Sequence, residues 1–415
     1  MKTERIRIFP IPVYRSVLEN GLTVITANTK SRTAYTSLTF QAGALDEKHH
    51  HGVAHFLEHV LCEGRGSDGI HPAIQPLLRK GVQTNGHTGW QHTSYDIKGF
   101  STILPQMIGA LLHIGFDEQL DPDVVEKERE IIQREIDFVG QKENFIRFFQ
   151  MGIHKLARME SEVIGTKKSV KAIKINDLRQ FMERSYHPSR ALLVIVGDLQ
   201  HRDVLKTVNA FSGFPHRAAI ARTLPEADNP KIRRGGETRD GIDDSVLLYW
   251  KYPELHDPGA LVRYEATNRL LLSTSGGLLF QELRQHRKAV YTIVHRESRY
   301  PNYSFLQVES PPYAWNAVES ETLKQIERLQ KGEYADELLE MVRQHLLLEE
   351  TTALDCREPE NLAEQISARW RKDYFSDLLA KIPSITKDDI ANAAQTHFPR
   401  DQYGVLHRYR KRSDD

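Results

Sequence analysis

Cysteine is scarce in this chain of 415 residues, which contains only Cys62 and Cys356. Two cysteines exclude a disulfide framework and a zinc site built from thiolates, so we expect a reducing compartment, the cytoplasm. The longest apolar run, at residues 191–196, is too short to span a bilayer. Residues 1–5 lack the apolar segment of a signal peptide. The sequence therefore predicts a cytoplasmic protein that has no membrane partner.

An excess of charge of one sign is also absent, because 56 Lys and Arg residues balance 56 Asp and Glu residues. Such a chain has no large field of one sign with which to hold nucleic acid or anionic lipid. Hydrophobic residues make up 40% of the chain and charged residues 27%, which excludes wholesale disorder. At roughly 150 residues per domain, the length predicts two to three domains. Histidine, by contrast, is plentiful and unevenly spread, with 19 residues.

The chain is organised as two related halves joined by a linker. Residues 215–244 are rich in Pro, Gly and charge and lack periodicity, which is typical of a linker. We therefore predict an N-terminal domain at residues 1–214 and a homologous C-terminal domain at residues 245–415. The repeat is seen in residues that recur 212 positions later: Ile173, Asp177, Leu178 and Tyr186 correspond to Ile385, Asp389, Ile390 and Phe398.

Each half begins with strands and continues with helices. An Asn-Gly turn within residues 17–25 predicts a β-hairpin, and later segments have the 3.6-residue period of helices. Strands followed by helices are typical of α+β domains. The predicted fold class is α+β, with two duplicated domains in which helices pack on one face of an antiparallel sheet.

The sharpest chemical signal is the sequence His-Phe-Leu-Glu-His at residues 55–59. Positions i and i+4 share one face of a helix, so His55 and His59 can bind one metal ion together. Glu58 lies beside them, where its carboxylate can reach a water on that metal. The motif is the inverse of the zinc-protease sequence His-Glu-x-x-His. The alternative interpretation is a helix whose polar face carries two histidines and no metal.

A catalytic zinc site needs a third protein ligand and an open coordination position. The candidate segment is the acidic helix predicted to begin after Asp121. Glu128 and Glu135 are seven residues apart, which places them two turns apart on one face of that helix. An acidic helix is more commonly a solvated face with ion pairs, and we interpret Glu126 and Glu130 in that way.

Residues 52–59, followed by Glu135 at 76 positions after His59, resemble the pitrilysin (inverzincin, M16) zinc metallopeptidases. The resemblance extends from about residue 17 to the end of the chain and is densest before residue 200. It implies the short two-domain form of the family, related to the subunits of mitochondrial processing peptidase. Three further segments match the family's landmarks in order: residues 85–95, 164–166 and 186–198.

The resemblance implies a role for each matching residue. His55, His59 and Glu135 would be the ligands of one zinc ion per chain, and Glu58 would be the general base. Glu128 would be an acid that supports a ligand without binding the metal itself.

The resemblance also implies where the substrate binds. Asn85, Gly86, His87 and Thr88 would line an edge strand that accepts the substrate backbone as an added strand. Gly86 stands where the family usually has alanine, which loosens this strand. Cys62, one turn after His59, is interpreted as a small packing residue near the site.

The second half contains a segment similar to the family's Arg/Tyr element, in which Arg284 and Tyr291 would close over the substrate. Without the resemblance, Arg284 is a surface arginine and Tyr291 an ordinary strand aromatic. In the family a chamber of four domains encloses the substrate, and this chain supplies two. The hypothesis is a homodimer, or a heterodimer with a related chain, in which these two residues face the partner's zinc.

The resemblance thus implies a zinc-dependent endopeptidase that cleaves short peptides or unfolded segments in a closed chamber. One alternative is a dedicated processing protease for a single peptide precursor. The other is a non-catalytic binding subunit of a family heterodimer. The intact motif at residues 55–59 argues against the second alternative, because such subunits typically lose metal ligands or the base.

Overall fold

The computed structural model contains helices and two β-sheets, which confirms the predicted α+β class. The described residues are 2–63, 71–141, 163–223, 233–239, 244–253, 255, 257–272, 276–288, 290, 292–299, 302–372 and 377–410. Within them the chain divides into two compact units, one for each sheet. None of the helices described is long and apolar enough to cross a membrane.

The first sheet has seven strands in the order β1-β2-β3-β7-β4-β6-β5 among the residues described. All neighbouring pairs are antiparallel except β3 and β7, which are parallel. The central strand β7 is buried throughout, as its unbroken apolar sequence requires. The bounds of the seven strands are β1 Lys2–Ile6, β2 Val13–Val17, β3 Thr23–Asn28, β4 Thr33–Phe40, β5 Gln83–Thr88, β6 Thr93–Phe100 and β7 Ala191–Gly197.

The second sheet has five strands in the order β10-β11-β9-β12-β8, again with one parallel pair, β12 and β8. This order, β8-β12-β9-β11-β10 when read from the other end, repeats the order β3-β7-β4-β6-β5 of the first sheet. The shared topology confirms the predicted duplication. The strands are β8 Arg233–Arg239, β9 Ser245–Lys251, β10 Thr292–Arg299, β11 Asn302–Glu309 and β12 Tyr403–Arg410.

The helices follow the strands in each half. The first unit holds α1 Val53–Glu63, α2 Gln75–Leu78, α3 Leu104–Phe116, α4 Pro122–Gln141, α5 Lys167–Ala172, α6 Ile175–Ser185, α7 His201–Asn209 and α11 Pro359–Lys372. The second contains α8 Pro258–Leu272, α9 Trp315–Gln330, most of α10 Asp336–Asp355, α12 Lys387–His397 and a π-helical segment, Phe280–His286. Short 3₁₀ turns occur at Ala44–Asp46, Ser101–Ile103, Pro188–Arg190, Pro312–Ala314 and Ile382–Ser384.

Helices cover both faces of the first sheet, whereas the prediction had them on one face. On β4, Leu38 packs against Gly115 of α3. Tyr35 of β4, three residues earlier, is on the opposite face, where burial, then Asp96 of β6 and the carboxylates of α11, raise the pKa of its phenol. On the same face, Lys98 Nζ of β6 lies 2.7 Å from Glu360 Oε2 of α11. A helix from the second half of the sequence therefore forms the back layer of the first unit.

The predicted linker at residues 215–244 needs a correction, because β8 lies inside it. The sequence did not indicate this strand, because it contains charged residues and the Gly235-Gly236 pair. Its position at the end of the sheet depends on backbone pairing with β12. Before it, Arg222 binds Asp46 Oδ2 at 2.8 Å and the backbone oxygen of Gln91 at 2.8 Å. Residues 224–232 and 240–243 lie outside the described residues, and the domain boundaries at 214/215 and 244/245 stay a prediction.

Candidate metal centre

Helix α1 is fixed at its amino end by a buried carboxylate. The Glu47 carboxylate accepts hydrogen bonds from the backbone N–H groups of Gly52, at 3.0 Å, and Ala54, at 3.0 Å. These bonds satisfy groups that the first turn of a helix leaves without partners. Gly52 has a φ of +90°, and a Cβ there would lie 2.7 Å from the Ile164 oxygen, so only glycine fits. The motif therefore begins at a position that backbone contacts define.

Three side chains from α1 and α4 direct their donor atoms to one point. Glu135 Oε2 lies 3.7 Å from His55 Nε2 and 3.4 Å from His59 Nε2. Tetrahedral zinc with bonds of about 2.0–2.1 Å places neighbouring ligand atoms about 3.3–3.4 Å apart. Glu135 Oε2 is also buried, and neither imidazole nitrogen meets it in hydrogen-bond geometry. The donor set and its spacing therefore fit a zinc ion.

Glu128 stands behind this set. Its carboxylate is 1% exposed, and its Oε2 lies 3.1 Å from His59 Nδ1. A carboxylate in that position holds the proton on Nδ1 and leaves Nε2 to bind the metal. Glu135, two turns later on the same helix, is on the metal side of the same ring.

The two imidazoles differ in charge when no metal is bound. Burial and the neighbouring His59 lower the pKa of His55 to about 4, so its ring is neutral at pH 7. Burial lowers the pKa of His59 as well, but the carboxylates of Glu128 and Glu135 outweigh it and raise the pKa to about 10. In turn, the proximity of His59 lowers the pKa of Glu135. The cluster thus has a cationic ring that must lose its Nε2 proton before a metal can bind.

Glu58 lies beside these donors, and its carboxylate makes contacts of its own. One donor atom each of His55, Glu58 and His59 fit within 4.8 Å of one another. Burial raises the pKa of Glu58, and the Thr88 hydroxyl donates a hydrogen bond of 3.3 Å to its Oε2. The Cys62 thiol is 3.7 Å from its Oε1. A buried carboxylate with a raised pKa is a stronger base than an exposed glutamate, which is the property that general-base catalysis needs.

The predicted substrate residues lie on β5, the last strand of the first sheet. This strand pairs with β6 on one side and with no strand on its other side among the residues described. Thr88 is buried and faces Glu58, whereas Asn85 and His87 are exposed. Backbone groups at such an edge can pair with an added peptide strand.

The Arg/Tyr element is only partly described. Arg284 is in the π-helical segment of the second unit, is exposed, and donates a hydrogen bond of 3.4 Å to the Val290 oxygen. Tyr291 lies outside the described residues. The structure therefore gathers the zinc motif, Glu128, Glu135 and Thr88 in one place, and the roles predicted for Arg284 and Tyr291 stay predictions.

Sequence reasoning missed Glu47, which caps α1, and the contacts of Cys62 and Gly86 with Glu58. Glu47 lies at the end of a 3₁₀ turn, six residues before α1, so no capping motif at the start of the helix identifies it. Cys62 follows Glu58 by four residues, and this helical spacing was the available signal for their contact. Gly86 gave no such signal, because its neighbour belongs to a different element.

Two family profiles and several known proteins match this chain. Residues 23–165 match the family profile "Insulinase (Peptidase family M16)", and residues 172–346 match "Peptidase M16 inactive domain". The mitochondrial-processing peptidase subunit beta of Lentinula edodes is 28% identical over 235 residues, which cover 54% of this chain and 50% of the relative. An "uncharacterized zinc protease" of Mycobacterium leprae is 27% identical over 299 residues, or 68% of this chain and 65% of the relative.

The fold has a close counterpart among solved structures. A protease from Helicobacter pylori superimposes with a TM-score of 0.83 and 18% identity, covering 96% of this chain and 99% of that one. At this identity the likeness shows the fold alone. The chain spans about half the length of the fungal processing-peptidase relatives that it matches. Because the two M16 profiles together cover most of the chain, and the fold agrees, this protein belongs to the M16 (insulinase) peptidase family.

Proposed function

We propose that this protein is a zinc-dependent endopeptidase. The observation that carries the proposal is the convergence of His55 Nε2, His59 Nε2 and Glu135 Oε2 beside a buried glutamate. Glu58 is the proposed base and Glu128 the residue that orients His59. The name of the mycobacterial relative, a zinc protease, supports zinc as the metal. The scarcity of cysteine, with both thiols free, supports a reducing compartment such as the cytoplasm.

Each of these side chains has a task in amide hydrolysis. A bound zinc ion would acidify a water molecule to a pKa of ~7 and polarise the scissile carbonyl. Glu58 would accept the proton of the attacking water and then deliver it to the leaving amine. Glu128 would hold the His59 ring through Nδ1, so that Nε2 points to the metal. Burial of Glu58 keeps bulk water from competing for its carboxylate.

The proposed substrates are short peptides or unfolded segments. A peptide that pairs with the free edge of β5 must be extended and must have backbone groups without partners. Folded proteins rarely offer such a segment. The backbone of β5 around Asn85 and His87 would bind the peptide. The residues of β5 that alternate with these two would face Glu58.

The proposed assembly is a homodimer in which Arg284 and Tyr291 of one subunit complete the site of the other. The proposal is supported by the four-domain chamber that the resemblance implies and by the two sheets of this chain. A heterodimer with a related chain is the second form, because the fungal relative is named as a subunit.

Two narrower functions compete with general peptide cleavage. A processing protease for one precursor would use the same residues, and its specificity would lie in substrate contacts. A non-catalytic subunit is favoured by one observation, the match of residues 172–346 to a profile named "inactive domain". The metal motif, however, lies in the other half, at residues 55–59, and retains its ligands and base. We therefore favour the active enzyme.

Mass spectrometry of a diverse peptide library incubated with the zinc-loaded protein tests the proposal. We expect new amino and carboxyl termini that disappear with a chelator and in Glu58→Gln. Glu63→Gln is the matched control, since it changes the same residue type on the same helix, at an exposed ion pair with Lys127. A chain that binds zinc and cleaves no peptide of the library would support the non-catalytic subunit. Cleavage of a single peptide would support the dedicated processing protease.

A further inference from the structure

The two faces of β5 have different surroundings. Side chains alternate along a strand, so Asn85 and His87 lie on the face opposite Thr88 and the metal helix α1. Both residues are exposed. Asn85 is directly opposite Asp96 of β6, which is two residues from Lys98, the partner of α11. Asn85 and His87 therefore lie on the same face of the sheet as α11, a helix of the same unit.

Helix α11 runs along this face toward the turn that joins β5 and β6. Near its start, Glu360 Oε2 lies 2.7 Å from Lys98 Nζ, at the far end of β6. One turn later, Glu364 lies near Asp96, whose pKa is raised by burial and further by this second carboxylate. Each turn of the helix thus advances toward the first residues of β6. Arg371, in the last turn of α11, comes next in this order and reaches the β5–β6 turn.

Two histidines lie beside this arginine. The ring centroids of His87 and His92 are 6.0 Å apart. Burial lowers the pKa of both rings, that of His92 to about 3, and the positive charge of Arg371 lowers both further. Arg222 also acts on His92, but its own guanidinium contacts Asp46 Oδ2 at 2.8 Å. Both imidazoles are therefore neutral at pH 7, and the positive charge at this end of β5 comes from Arg371.

We propose that His87 and Arg371 form a subsite for an acidic side chain of the peptide. This inference rests on the proposed function, in which a peptide pairs with the edge of β5. Every second side chain of that peptide would project onto the face of α11. The one beside His87 meets the charge of Arg371, which attracts a carboxylate and repels an ammonium group. The next one on this face lies beside Asn85, where Asp96 and Glu364 disfavour a second carboxylate.

The cleavage test uses a neutral, unstructured peptide in which one residue, moved along the sequence, is Glu, Gln or Lys. With the zinc-loaded protein, we expect one position at which Glu raises kcat/KM about two- to fivefold over Gln, as for an exposed ion pair, and Lys lowers it. Arg371→Glu should reverse this order. Arg202→Glu, an exposed arginine at the start of α7, is the matched control and should keep it. No preference at any position, or the same preference in Arg371→Glu, would overturn the inference.

A second test does not depend on catalysis. Fluorescence anisotropy measures how tightly Glu58→Gln binds the same peptides, and the Glu peptide should bind about two- to fivefold more tightly than the Gln peptide. Adding Arg371→Glu should reverse the order of the Glu and Lys peptides. Equal affinities, or no binding, would overturn the inference. So would a preference lost when the peptide's terminal carboxylate is amidated, since the subsite would then recognise the chain end. If the unchanged protein cleaves no peptide, the proposed function fails, while this comparison still decides whether Arg371 selects an acidic side chain.

Discussion

Glu128 Oε2 and His59 Nδ1 lie 3.1 Å apart, so a fully buried carboxylate on α4 holds the ring of a residue on α1. The opposite ring nitrogen, Nε2, lies 3.4 Å from Glu135 Oε2 on the same helix α4. Two acids seven residues apart therefore contact one imidazole, one at each ring nitrogen. The candidate centre is therefore assembled before any metal binds.

Replacing Glu128 by Gln should weaken zinc binding about 10- to 100-fold, because an amide neither strengthens His59 as a ligand nor fixes its tautomer as a carboxylate does. Competition with a fluorescent zinc chelator measures the change. Glu130→Gln, an exposed position on the same helix, is the control and should bind zinc as the unchanged protein does. Equal affinity for Glu128→Gln and Glu130→Gln would show that Glu128 does not support the site.

Replacing Glu135 by Gln should weaken or abolish zinc binding. By contrast, Glu58→Gln should keep about one zinc per chain and lose cleavage. In the proposed site Glu135 would supply the third donor atom, and Glu58 would supply only a base. Elemental analysis of both purified variants, together with a peptide-cleavage assay, checks the two roles. A Glu58→Gln protein without zinc beside a Glu135→Gln protein that retains it would reverse our assignment.

Replacing Glu47 by Ala should destabilise the metal-free protein by about 1–2 kcal/mol, because α1 loses the acceptor for its first N–H groups. Glu47→Gln keeps one carbonyl acceptor and should lose less. Urea denaturation with a chelator present gives both free energies of unfolding. If the two variants lose the same free energy, the hydrogen bonds of this carboxylate are not what stabilises the helix start.

The sequence was sufficient to predict the local geometry of the centre. A spacing of four residues places His55 and His59 on one helix face, and a spacing of seven does the same for Glu128 and Glu135. The observed donor distances agree with both. Which of the two acids approaches which nitrogen, however, came from the family resemblance, since helical spacing cannot distinguish them.

Features that depend on contacts distant in sequence were not predictable. Helix α11 packs behind β4 and β7 although more than 160 residues separate it from either strand. Strand β8 is recognisable only through its pairing with β12. Gly86 could be noted as unusual, but its proximity to a carboxylate 28 residues earlier could not. In each case the contacting residue or element is farther away in sequence than the short segments in which periodicity and capping can be recognised.

Asp96 should make the protein less stable as the pH rises. Burial, aided by the nearby Glu364 and Glu360, raises the pKa of Asp96 from 3.8 to about 6, although hydrogen bonds from Ser37 and Tyr35 oppose the shift. The folded state therefore binds this proton more tightly than the unfolded state, so stability is greatest below pH 4 and falls as pH rises through 6.

Asp96→Asn removes this titration. Relative to the unchanged protein, its free energy of unfolding should rise by about 2 kcal/mol between pH 4 and pH 8. Urea denaturation of both proteins across this range, with a chelator present throughout, tests the difference. Taking a difference between two pH values cancels any constant effect of the amide on packing. Parallel pH curves for the two proteins would show that Asp96 has no raised pKa.

The proposed homodimer predicts complementation between two inactive variants. Glu58→Gln lacks the base, and Tyr291→Phe lacks a hydroxyl that would stabilise the oxyanion, a loss typically worth about 10²–10³ in rate. After mixing in equal amounts and exchange of subunits, about half of the dimers contain one subunit of each kind. Each mixed dimer has one site with both groups intact, so activity should recover to roughly a quarter of the unchanged protein.

Subunit exchange must be verified separately, for example by energy transfer between labelled subunits, because recovery depends on it. Arg284→Ala in place of Tyr291→Phe provides a second pair that tests the same geometry with a described residue. If exchange is complete and neither pair recovers, each site is built within one chain or is completed by a different protein. That result would end the model of sites shared between identical subunits. It would leave the proposed zinc centre on α1 and α4 unaffected, since its proposed ligands all come from one chain.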